Sequence, residues 1–74
     1  MKLSDVKLNT MCVVKKIEIP EKDKLRLMEL GFDVNTKIVV KHKSLGKRNL
    51  LVNFNNSCFT IGVDFAKNIE VVYA

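Results

Sequence analysis

The segment Leu25-Arg26-Leu27-Met28-Glu29-Leu30-Gly31-Phe32 reads as the end of a short helix that stops on a glycine and passes directly into a strand at residues 36–43. A helix stop so tightly coupled to a strand points to a small β-protein carrying one helix. With Gly31 as the residue just past the helix end, where a left-handed backbone is wanted, Phe32 falls where such a stop places an apolar residue against the last full turn, here Leu27. At about 100° per residue, Leu27 and Leu30 lie close together as the expected core-facing pair, and Leu25 with Met28 forms a second ridge. Arg26 and Glu29 share the remaining face.

The rest of the chain supplies the strands. Asn9-Thr10 turns the chain into an apolar run, and residues 11–18 read as the first strand. Pro20-Glu21-Lys22-Asp23 supplies a helix start, with Asp23 as the expected capping oxygen and the helix at residues 24–30. Asn35 suits a turn that needs positive φ. Across 36–43 the alternation places Ile38, Val40 and His42 on the core face and Lys37, Val39, Lys41 and Lys43 on the other, toward solvent. A polar connection at 44–49 precedes Leu50, Val52 and Phe54, and Asn55-Asn56 turns the chain into 58–62, where Phe59 and Ile61 take the inward face. Residues 63–68 read as one helical turn bringing Phe65 and Ala66 onto the core, and 69–73 as the closing strand. Five short strands and one helix cannot cover both faces of an open sheet. The expected fold is therefore mainly β, a small SH3-like five-stranded barrel with one short α-helix.

Seventy-four residues allow one domain spanning 1–74; a chain of this size buries only about 60% of the surface its unfolded form exposes, which leaves no room for a large catalytic cleft. With 47% hydrophobic and 28% charged residues it should fold alone. The longest unbroken apolar run, 11–14, is far short of the roughly 20 residues of a membrane span, and no signal peptide is evident, so a cytoplasmic location is expected. Cys12 and Cys58 are read as buried reduced thiols.

The net charge of +5 is unevenly spread, with Lys37, Lys41, Lys43, Lys47 and Arg48 close together in sequence. Such a cluster meets nucleic acid, anionic headgroups or an acidic protein surface, or is simply a solvated strand face. For nucleic acid it lacks aromatic platforms, Tyr73 being the one ring expected outside the core. No catalytic constellation is present: His42 has no marked nucleophile beside it, and there is no phosphate loop. His42, Cys58 and Asp64 match no ligand spacing, and no metal site is assigned to them.

Read as a whole, the chain resembles the FeoA family of bacterial ferrous iron transport. The resemblance rests on Leu3, Val14 and Ile17, on Leu27, Glu29, Leu30 and Gly31 of an arginine-leucine-x-x-leucine-glycine-like segment, on Thr36, Ile38 and Val40, on Leu45-Gly46, and on Val52, Ile61, Ala66, Ile69 and Val71. Asn9 and Asn35 stand where the family often has glycine, Val34 where it often has proline, and Lys47-Arg48 where aspartate-proline is common. The resemblance implies an SH3-like fold, no catalysis and no cofactor. It also implies a regulatory protein that binds a membrane ferrous iron transporter carrying a cytosolic G-protein domain, near the inner face of the membrane. The alternative is a basic SH3-like module binding nucleic acid or another protein. The expected partner surface is Lys24, Leu25 and Met28, with Lys47 and Arg48 of the following loop as a second candidate, while Leu27, Leu30, Gly31 and Phe32 are expected to be structural.

Overall fold

The computed structural model describes residues 1–44, 46 and 48–74. Five strands, β1 Met11–Ile17, β2 Lys37–Lys43, β3 Asn49–Phe54, β4 Ser57–Gly62 and β5 Ile69–Tyr73, form one antiparallel sheet in the order β4-β3-β2-β1-β5. Helix α1, Glu21–Glu29, links β1 to β2; a single turn, α2, Val63–Ala66, links β4 to β5; and a 3₁₀ turn, Leu3–Asp5, precedes β1. Buried residues from every strand, from β4 at one edge to β5 at the other, meet in one cluster, so the sheet curls around a single core. The β5 edge is covered: Val71 N–H donates to the Met1 carbonyl at 2.7 Å, and Lys2 bridges to Glu70.

The curl comes from two irregularities. Pairing with β5 shifts register between Val14 and Lys16, and pairing with β3 shifts between Val40 and His42. Each extra residue bends the strand and reverses which side the following side chains take. In β1 this puts both Val14 and Ile17 inside with Lys15 and Lys16 outside. In β2 it overturns the expected alternation: His42 is exposed on the outer face, and Lys43 turns half-buried toward the inner side. There its ammonium donates to the Ser4 carbonyl at 3.2 Å, tying β2 to the 3₁₀ turn.

The hairpin β3–β4 follows from its turn residues. Asn55 and Asn56 have φ of 49° and 63°, and Phe54 pairs with Ser57 across them. A two-residue loop with both central residues left-handed matches the right-handed twist of the strands it joins. Asn9 and Asn35, at φ 61° and 71°, take the same conformation in the other turns. Phe54 and Phe59 then meet Phe32 in three mutual edge-to-face contacts, with centroids 5.2–5.9 Å apart, worth roughly 0.5–1.5 kcal/mol each beyond area burial.

The helix starts earlier than its sequence suggests. Pro20, with φ −52°, is the N-cap, and its carbonyl accepts from Lys24 N–H at 2.9 Å, so Asp23 lies in the first turn and makes no capping bond. Proline has a pre-set φ and no amide hydrogen to leave unpaired, which lets the helix begin at Glu21. Glu21 and Asp23 still face the positive end of the helix dipole.

Two further expectations are corrected. Leu30 is not a core residue: it is the C-cap, 56% exposed. Gly31, at φ 96°, turns the chain so that Phe32, wholly buried, takes the place beside Leu27, the only buried residue of α1. Cys12 is buried, but Cys58 is exposed, because β4 pairs at register Asn53↔Cys58 and Val52↔Phe59 and the alternation gives Phe59 the inner side.

Candidate partner-binding surface

Among the described residues no polar or charged side chain is buried, and no three of His, Cys, Asp and Glu come together. His42 on β2, Cys58 on β4 and Asp64 on α2 are thus not gathered into one group. The polar chemistry of this molecule lies on its surface.

Helix α1 carries exposed apolar side chains close together in sequence. Leu25 and Met28, 50% and 40% exposed, project from the side away from Leu27, and Leu30 follows at the helix end. A helix of nine residues over so small a sheet buries one row only. Arg26 and Glu29 are exposed around the ridge and Lys24 is half-buried beside it. Neither ion pair among the described residues, Met1–Glu70 or Lys16–Glu18, involves α1. The helix charges are therefore in no ion pair among the described residues.

The ridge is held from below. Phe32 N–H donates to the Leu27 carbonyl at 2.9 Å and Gly31 N–H to that of Met28 at 3.0 Å. Thr36 Oγ1 accepts from Asp33 N–H at 3.1 Å and donates to the Gly31 carbonyl at 3.4 Å, while Asp33 Oδ1 accepts from Val34 N–H at 2.7 Å. These bonds fix the passage from α1 to β2.

The chain matches the FeoA domain family over residues 1–73. This protein belongs to the FeoA family. An Fe(2+) transport protein A of Campylobacter jejuni is 30% identical over 71 residues, 96% of each chain. The solution structure of FeoA from Chlorobium tepidum superposes with a TM-score of 0.94 at 27% identity, covering 99% of this chain and 70% of the other. FeoA from Stenotrophomonas maltophilia, solved with zinc and described as a prokaryotic SH3 domain protein, gives 0.79 at 30% identity over 97% of this chain and 89% of that one. The SH3-like expectation is thereby met, with five strands and a short helix.

In this FeoA-family chain the residues expected to meet a partner fall into two places. Lys24, Leu25 and Met28 share α1. The Gly31 end of that helix lies by the β3–β4 hairpin, since a Cβ on Gly31 would come within 3.5 Å of the Phe54 ring and 3.6 Å of the Asn55 amide. Arg48 stands at the opposite end of β3, where its carbonyl accepts from Val63 N–H at 2.8 Å. The structure does not bring it to the helix. Lys47 lies outside the described residues. The member of the surface that periodicity missed is Leu30; its signal was the adjacent Gly31, which ends the helix and leaves the residue before it outside the buried row.

Proposed function

We propose that this FeoA-family protein is an accessory and regulatory protein of bacterial ferrous iron transport. It acts in the cytoplasm at the inner face of the membrane, by binding the transporter that carries a cytosolic G-protein domain, and catalyses nothing itself. The relative named for Fe(2+) transport supports the pathway. Among the described residues no helix is long and apolar enough to cross a membrane. The observation that carries the contact is the exposed pair Leu25 and Met28 on a helix whose Leu27 alone is buried. Large apolar side chains ringed by charges are the usual anchors of protein interfaces.

The test is pull-down of the transporter together with ferrous iron uptake, using Leu25→Asp and Met28→Asp variants first shown to be folded. Loss of both readouts in folded variants supports the reading. Parental binding and uptake would remove the helix as the contact and turn attention to Arg48 and its loop.

A further inference from the structure

Strands β1 to β4 contain no aspartate or glutamate; all eight acidic residues lie in turns, in α1 and α2, or in β5. On the outer face of these strands Met11, Val39, Asn53 and Cys58 stand directly opposite one another, one from each strand. Together with Lys37 and Lys41 they line a groove of about 560 Å³. Both lysines are exposed, and neither belongs to an ion pair among the described residues. Four positions apart on β2, they are separated by on the order of 13 Å along the strand, with Val39 between them. The row from Met11 to Cys58 spans about 14 Å across the strands.

We infer that this groove is a docking site for an acidic, extended segment of a partner protein. Lys37 and Lys41 receive carboxylates, and Met11 and Val39 receive an apolar side chain between them. The charge of the site has one sign, and no acidic residue of β1 to β4 competes for the lysines. Nucleic acid is the poorer fit because the ring that lines the groove, Phe54, is only 5% exposed and is held edge-to-face by Phe32 and Phe59, leaving no open face for stacking. The one tyrosine, Tyr73, is on β5, where its hydroxyl accepts from Lys7 N–H at 3.0 Å. Two lysines with apolar neighbours suit a short polypeptide better than a polyphosphate chain. The groove is distinct from the α1 ridge, and its occupation does not depend on the transport reading.

The experiment titrates the ¹⁵N-labelled protein at low salt with a short peptide of the pattern glutamate-serine-leucine-serine-glutamate, which in extended form sets both carboxylates and the leucine on one face. The expected result is a set of amide shifts confined to Val39, Asn53, Cys58 and their neighbours, with affinity reduced about tenfold or more in the Lys37→Glu, Lys41→Glu double variant. That variant, shown folded by its own spectrum, should instead bind the peptide in which lysine replaces glutamate. The inference is overturned if no shifts localise to the groove, or if the double variant binds the acidic peptide like the parent. It is also overturned if oligothymidylate binds the same amides more tightly, or if those amides shift with protein concentration alone, which would assign the groove to a second copy of the chain.

Discussion

The backbone N–H of Phe32 donates to the carbonyl of Leu27 at 2.9 Å, six residues spanned by one bond, while the Phe32 and Leu27 side chains are both buried. Gly31, between the helix and Phe32, has φ 96°, and a Cβ there would make only ordinary contacts with Phe54 and Asn55. The cost of a side chain at this position is therefore conformational. Gly31→Ala should lower stability by about 1 kcal/mol and Gly31→Val by about 1–2 kcal/mol or more. Urea melts of both variants check this, and an unchanged midpoint for Gly31→Val would show that the left-handed turn is not required.

Leu27 and Leu30 look alike in a helical projection but should behave oppositely. Leu27→Ala empties a place in the core, and Leu30→Ser changes an exposed cap. Thermal and urea denaturation should show a loss of about 2 kcal/mol or more for the first and less than about 0.5 kcal/mol for the second.

Lys43 is expected to matter for stability and Lys41 not to. The Lys43 ammonium reaches the Ser4 carbonyl, whereas Lys41 is exposed and in no ion pair among the described residues. Lys43→Ala should cost about 1 kcal/mol, and Lys41→Ala should leave the unfolding midpoint within error. Equal effects of the two substitutions would remove the tie between β2 and the 3₁₀ turn.

The two thiols should separate by reactivity. Cys12 is buried, donates to the Thr10 carbonyl at 3.4 Å, and has its pKa raised by desolvation, while Cys58 is exposed. Iodoacetamide on the native protein should modify Cys58 first, with Cys12 following only on unfolding. Mass spectrometry of the partly labelled protein decides this.

Lys16 and Glu18 form an exposed ion pair at 2.7 Å. The hydrogen bond from Lys16, then its charge, holds the Glu18 carboxyl below its usual range, and the same contact raises Lys16. The Glu18 contribution is therefore present above the unfolded-state carboxyl pKa and fades as pH falls through the lower folded value. That of Lys16 is present below its unfolded value and fades only in strongly alkaline solution. Melting curves of Glu18→Gln and the parent should thus differ slightly near neutral pH, converge in acid, and become indistinguishable in high salt.

Turn chemistry made most of this fold legible. Asn9, Asn35, Gly31 and Asn55-Asn56 stand at positive φ where the sequence asks for it, and the hairpin pairs as its alternation implies. What failed was strict period two in β2, because a register shift after Val40 is a tertiary demand of sheet curvature rather than a local preference. His42 and Lys43 changed sides as a result. In β1 the spacing of Val14 and Ile17, three apart around two lysines, was the readable trace of the matching irregularity. The outer groove was half legible: the absence of acids is visible in the sequence, but the row Met11, Val39, Asn53 and Cys58 appears only once pairing is known.

The two supernumerary residues also say where this chain can change length. At Lys15 and Lys41 one residue more is threaded on one strand than on its neighbour. A deletion at Lys41 would set His42↔Leu51 directly after Val40↔Val52 in an unbroken ladder, leaving His42 outside and Lys43 on the inner side and removing only the local bend. Single-residue gaps at these two points would thus keep the strand order, the pairing and the facing of every other side chain while flattening the sheet, so that chain length here sets curvature and not which residues meet the solvent.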